Sequence, residues 1–295
     1  MSKHLLNLHG IYTALVTPFS NDGSGVDYAS LDSLLQYQRT GSVAGVVVCG
    51  STGEAATLSD AEYAQVVRFV RERTQGVMPC VSGISVSSTA KAVELARYAE
   101  QTGCEGVLVA TPPYNKPSQA GIIEHFRAIR RATSLPIIAY NIPGRSGVAI
   151  APATCGILSD EGLIVGIKES SGSIDALADT MVRVRPDCQV VSGDDSLTLA
   201  VLAYGGVGAI SAAANALPAE MSALVRSWEQ GNPEKAKREQ LDLLGRVRAL
   251  FIETNPVPVK TVLALKGIIA HATVRLPLVE VSSASLETIK SEFKL

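Results

Sequence analysis

The chemistry in this chain gathers on one lysine. Ile164-Val165-Gly166-Ile167-Lys168-Glu169-Ser170 is an apolar, β-branched run of strand type that ends in Lys168 and then turns polar. Taking an ammonium out of water disfavours its charged form, so a lysine at the dry end of a strand carries free amine near neutral pH. A free amine in a protected site makes Schiff bases with carbonyl substrates. The plain alternative is a lysine that snorkels to water from the strand end, and the heptapeptide alone does not decide between them.

Other reactive side chains follow strand-like runs in the same way. Gly50-Ser51-Thr52-Gly53-Glu54 offers two hydroxyls among small residues whose consecutive N–H groups suit a carboxylate; an ordinary Ser/Gly turn reads the same. Thr111-Pro112-Pro113-Tyr114-Asn115 presents a phenol on a stiff turn, and Tyr140-Asn141-Ile142-Pro143-Gly144-Arg145 a second phenol and a guanidinium. Singly, the tyrosines read as packing and Arg145 as solvated. Gly193-Asp194-Asp195 resembles a metal ligand pair, but other ligands do not recur at strand ends, so the aspartates read as a cap for a helix over 196–204. Together, a lysine, two tyrosines, a Ser-Thr pair and an arginine form a set for imine chemistry on a keto acid. The amine attacks, hydroxyls move protons, and N–H groups with arginine hold carboxylates.

The elements that must position this set recur at intervals of about 20 to 35 residues, as a barrel of βα units requires. Strand-like runs at 10–17, 44–50, 78–84, 106–112, 135–141, 163–170, 188–193 and 207–212 are nearly continuous in apolar residues, as strands buried on both faces must be. Helical stretches lie between most of them. One opens on the capping box Ser59-Asp60-Ala61-Glu62 and stops near Gly76; others open near Ser88 and Ser118, and a fourth ends at Pro186. The pattern predicts a closed α/β (β/α)8 TIM barrel with its active site at the C-terminal strand ends. The open doubly wound sheet lacks its glycine fingerprint after the first strand, and Gly205-Gly206-Val207-Gly208 enters a strand instead of opening a helix. Residues 1–217 are expected to form the barrel with the active site. Residues 218–295 are expected to be C-terminal helices that include the last barrel helix.

Composition excludes several classes. The 295 residues carry a formal charge of -2 with their basic residues dispersed, so neither a nucleic-acid footprint nor a membrane patch is visible. Five cysteines without a CxxC pair read as reduced core thiols of a cytoplasmic protein. His4, His9, His125 and His271 lack metal-ligand spacing, so no metal is expected. The polar start at residues 1–6 is too short for a signal peptide. No apolar run reaches the roughly 18 residues of a membrane span.

The motifs at 50–54, 113–115, 140–145, 166–169 and 193–195, in this order, together with Asn255-Pro256-Val257-Pro258-Val259-Lys260, resemble the dihydrodipicolinate synthase / N-acetylneuraminate lyase family over almost the full chain. The resemblance implies pyruvate held as an imine on Lys168, without any other cofactor, and Tyr140 as the proton-transferring residue. Ser51 and Tyr114 would complete a hydroxyl relay, Thr52 and Gly53 would hold the pyruvate carboxylate, and main-chain groups of Gly193 and Ile210 would line the pocket. Tyr114 would reach in from an adjacent subunit of a homotetramer built from dimers. Arg145 points to the synthase branch, which condenses pyruvate with aspartate semialdehyde to the cyclic hydroxy-tetrahydrodipicolinate of lysine and diaminopimelate biosynthesis. Another aldolase or dehydratase of the family, acting on a keto sugar acid or hydroxy-oxoglutarate, is the alternative. A non-catalytic barrel is a remote one, since every motif residue is kept. Ser51 stands where many synthases carry threonine; the hydroxyl remains. At the positions where lysine-inhibited relatives bind lysine, this chain has Asp60, Tyr63, Lys91 and Pro113. A cation at Lys91 would face the ammonium of the ligand, which implies weak or absent lysine feedback.

Overall fold

The computed structural model describes residues 6–295; the polar start Met1–Leu5, with His4, lies outside the described residues. From β1 (Gly10–Ala14) the chain passes through α1 (Tyr28–Thr40), β2 (Gly45–Val48), α2 (Asp60–Thr74), β3 (Cys80–Ile84), α3 (Thr89–Thr102) and β4 (Gly106–Ala110). It continues through α4 (Gln119–Ala132), β5 (Ile137–Asn141), the single turn α5 (Pro143–Ser146), α6 (Pro152–Asp160) and β6 (Gly166–Glu169). Next come α7 (Ile174–Arg183), β7 (Gln189–Ser192), α8 (Thr198–Ala203) and β8 (Gly208–Ser211). Each strand pairs in parallel with the next, and β8 pairs with β1, which closes the expected barrel.

Strand alternation sorts the core into two layers. Tyr12, Val47, Val81, Leu108, Ile138, Tyr140, Val191 and Ile210 pack inside the barrel. Ile11, Val46, Val107, Ile137, Ile167 and Val190 face the helices. Lys168 follows outward-facing Ile167, so its side chain turns to the barrel axis. The strands are shorter than the apolar runs because the run ends leave the ladder. Past Ala14, for example, Val16 N–H donates to Asn215 Oδ1 at 3.1 Å and Thr17 Oγ1 to the Gly53 carbonyl at 2.7 Å.

Helix ends follow local chemistry. Ser59 and Glu62 form the reciprocal capping box that starts α2. The Ser88 and Ser118 hydroxyls cap α3 and α4, and Gly103, left-handed at φ 80°, ends α3. After the barrel come α9 (Pro218–Glu229), α10 (Pro233–Leu250), α11 (Val257–Leu265) and α12 (Ser283–Phe293). The α9 helix packs on β1, and α10 lies between α9 and α12. Ile268 and Ile269 follow the end of α11. All five cysteines are free thiols, four of them buried. No helix among the described residues is long and apolar enough to cross a membrane.

Candidate active site

Lys168 sits near the C-terminal end of β6, 5% exposed, directly across the ladder from Tyr140 on β5. Its Nζ lies 4.2 Å from the centre of the Tyr140 ring, a distance at which an ammonium and an aromatic face attract. Gly193, just past β7, makes room for it. A Cβ there would stand 1.8 Å from Ser170 Oγ and 2.8 Å from Lys168 Cε, so any side chain would push the lysine aside. The next residue, Glu169, faces away from the axis. Its carboxylate accepts from Asn141 Nδ2 at 2.8 Å and from the Ser171 N–H at 2.6 Å. The strand end that carries Lys168 is thereby tied to the one that carries Tyr140.

A cavity of about 280 Å³ opens at this end of the barrel, lined by Ser51, Ala110, Pro113, Arg145 and Asn255 among others. Lys168 and Tyr140 are outside that lining. Ala110, within it, is the ladder partner of Tyr140, which in turn pairs with Lys168. The amine is therefore two strands round from the cavity wall at the same level.

The β2 loop forms a tight turn in which the Gly53 N–H donates to the Gly50 carbonyl at 3.1 Å and the Glu54 N–H to the Ser51 carbonyl at 3.1 Å. Gly53 passes too close to Leu15 for a side chain, since a Cβ would lie 3.0 Å from the Leu15 carbonyl oxygen. Thr52 is buried, and its hydroxyl accepts from Asn255 Nδ2 at 2.9 Å. Arg145 is exposed on α5 and donates to the Asn255 carbonyl at 2.9 Å. Asn255 thus joins Thr52 to Arg145 from the segment beyond the barrel, and Pro277 and Leu278 from the same segment complete the cavity wall.

Two expected residues are not in this group. Ile210 is fully buried in the barrel interior on β8, opposite Tyr12 and outside the cavity lining. Tyr114, left-handed at φ 71°, points away from the barrel and is 91% exposed. Asn115 pins its turn through a 3.0 Å bond to the Ser87 carbonyl, which leaves the phenol in solvent within one chain.

The aspartates after β7 correct the sequence reading: neither caps a helix through its side chain. Asp195 is 2% exposed, and its Oδ2 accepts from the Ala213 N–H at 2.9 Å, so it joins the ends of β7 and β8. A buried carboxylate takes the amide within its reach, and the start of α8, itself buried at Thr198, is left without a side-chain cap. Burial pushes both aspartate carboxyls up. Among the described residues, no three His, Cys, Asp or Glu side chains cluster to hold a metal ion.

Sequence reasoning assigned no role to Glu54 or Lys260. Their side chains are 1% and 0% exposed, with Oε1 and Nζ 2.5 Å apart, and burial pulls the Lys260 ammonium down to about 8. Both residues end motifs that matched the family, which was the available signal. The 203-position separation of Thr52 and Asn255 hides the companion contact in the same way.

The closed barrel, with a buried lysine at the C-terminal end of a strand, has the layout of a (β/α)8 enzyme, and comparison with known proteins gives the family. The profile of the Dihydrodipicolinate synthetase family matches residues 7–294. The chain is 41% identical over 286 residues to a 4-hydroxy-tetrahydrodipicolinate synthase of Endomicrobium trichonymphae, covering 97% of each. It is 42% identical over 285 residues to one of Pelobacter propionicus, again covering 97% of each. A solved dihydrodipicolinate synthase of Thermotoga maritima superposes with a TM-score of 0.95 at 39% identity, over 99% of this chain and 98% of that one. The chain belongs to the dihydrodipicolinate synthetase family.

Proposed function

We propose that this chain is a lyase that condenses pyruvate with aspartate semialdehyde to 4-hydroxy-tetrahydrodipicolinate, for lysine and diaminopimelate biosynthesis. The observation that carries the reading is the buried amine of Lys168 against the Tyr140 ring at the C-terminal barrel mouth. Relatives named 4-hydroxy-tetrahydrodipicolinate synthase, matched over nearly their whole length, support the substrate pair.

The Lys168 amine attacks the keto carbon of pyruvate and water leaves, which gives a protonated imine. Loss of a methyl proton turns the imine into an enamine. The enamine carbon then bonds to the aldehyde carbon of the second substrate, whose oxygen takes a proton. The amine of that substrate attacks the imine carbon, closes the ring and releases Lys168. Tyr140 moves the protons, with Ser51 and a neighbouring copy's residue equivalent to Tyr114 completing the relay. Thr52 and the Gly53 N–H hold the pyruvate carboxylate. Arg145 holds the carboxylate of the semialdehyde, and main-chain groups of Gly193 and Ile210 line the pocket.

The exposure of Tyr114 in a left-handed turn supports assembly into a dimer that covers it, and the family favours a homotetramer in the cytoplasm. The chain needs no cofactor beyond the lysine imine. The test offers pyruvate with aspartate semialdehyde as the only aldehyde, in parallel with a panel of keto sugar acids and hydroxy-oxoglutarate. Turnover of the semialdehyde pair is expected. Turnover of a panel member alone would make the chain a different aldolase of the family.

A further inference from the structure

The established fold leaves one buried charge pair unexplained. Two ions taken out of water pay a desolvation cost that apolar side chains of the same volume do not, so stability alone does not account for Glu54 and Lys260. What an ion pair adds is direction. It holds two segments in one relative position, because any slip leaves a buried charge unmatched.

We infer that Glu54 and Lys260 are positioning residues that set the pyruvate-carboxylate turn at 50–54 against the tail segment, a role that rests on the imine reading above. Glu54 closes that turn in a left-handed conformation at φ 52°. Lys260 lies on α11, shortly after Asn255. The turn and the tail segment therefore meet at two points. Thr52 accepts from Asn255 at 2.9 Å, and Glu54 pairs with Lys260 at 2.5 Å. One contact would allow rotation about itself; two fix the direction of the Thr52 hydroxyl and the N–H groups beside it.

The same pair anchors a cavity wall. Lys260 Nζ donates to the Thr273 carbonyl at 2.8 Å and stands 4.0 Å from the centre of the Phe19 ring. The Arg275 guanidinium lies 4.3 Å from that ring, and its backbone N–H donates to Glu54 Oε2 at 3.1 Å. Arg275 in turn pairs with Glu62 on α2. The loop at 271–278, which brings Pro277 and Leu278 to the cavity, thus hangs from Glu54 and Lys260.

The test compares the parent protein with Glu54→Gln/Lys260→Met, which removes both charges at similar volume, and with Glu54→Asp, which keeps the charge and shortens its reach. Each is read by thermal melting and by borohydride trapping of pyruvate across a range of pyruvate concentrations. The double variant is expected to melt within a few degrees of the parent, since it leaves no charge buried alone. Its half-saturating pyruvate concentration is expected to rise about tenfold or more, because misplaced binding groups lose binding without touching the reacting amine. Trapping still proceeds at high pyruvate. Glu54→Asp is expected to shift half-saturation in the same direction, and it stands as the deciding variant should the double variant fail to fold. Parent-like half-saturation in a folded variant overturns the positioning role. Absence of trapping in the parent overturns the imine reading and this inference with it.

Discussion

Tyr140 and Lys168 are partners across the β5–β6 ladder, and the ring of one lies 4.2 Å from the nitrogen of the other. The contact has two separable parts. The aromatic face keeps the amine in place and dry, whereas only the phenol can move protons. Tyr140→Phe keeps the first and removes the second. We expect it to retain borohydride trapping of pyruvate while turnover falls about 10²- to 10⁴-fold, the usual contribution of a positioned proton donor. Equal losses of trapping and turnover would assign the tyrosine to binding.

Arg145 lines the cavity from α5, and its guanidinium bonds the Asn255 carbonyl and not Lys168 or Tyr140. Arg145→Ala should therefore spare imine formation. The KM for aspartate semialdehyde is expected to rise by about 10- to 100-fold, as loss of a charge-assisted contact implies. Steady-state kinetics with each substrate varied in turn measures this. A larger effect on pyruvate than on the semialdehyde would contradict the assignment.

Lys91 already has partners of its own. Its Nζ lies 2.9 Å from Asp60 and 2.8 Å from Glu94, in a cavity of about 340 Å³ that Tyr63 also lines. Pro113 belongs to the active-site cavity instead, and the Tyr63 hydroxyl is occupied by Ser82 Oγ at 2.8 Å and the Gly83 carbonyl at 2.9 Å. A free lysine would have to place its ammonium beside Lys91 and displace these contacts. Inhibition by lysine is expected to be weak or absent in initial-rate assays. Inhibition well below millimolar lysine would refute this.

His125 on α4 is 3% exposed, its Nδ1 2.9 Å from Thr89 Oγ1. Burial lowers its pKa from 6.5 to about 4. As pH falls through 6.5 the unfolded chain takes up a proton that the folded chain refuses until about 4, so stability declines across that window. Denaturant melts at a series of pH values should show a shallower decline between 6.5 and 4 in His125→Gln than in the parent. An unchanged slope would remove His125 from the acid response.

Most of the fold was legible because it is written locally. Uninterrupted apolar runs marked eight strands, and Ser59 with Glu62, Ser88 and Ser118 marked helix starts through bonds that span three residues. Lys168 and Tyr140 stood out at the ends of such runs, and Ser51 and Arg145 just past them. Residues defined by distant partners were not legible. Asp195 reads as a cap from its neighbours in sequence, yet its carboxylate is claimed by the backbone of Ala213 on the far side of β8. Asn255 and Lys260 sit in a proline-rich tail motif whose contacts, Thr52 and Glu54, lie in the second βα loop, and nothing in local spacing reports a pair that only barrel closure brings together.

The most direct measurement is borohydride reduction in the presence of pyruvate, followed by peptide mass mapping of the parent protein and of Lys168→Ala. The account predicts a single pyruvyl adduct on the peptide that contains Lys168 in the parent, and none in a folded Lys168→Ala protein. An adduct on another lysine, or one that survives the substitution, would contradict it.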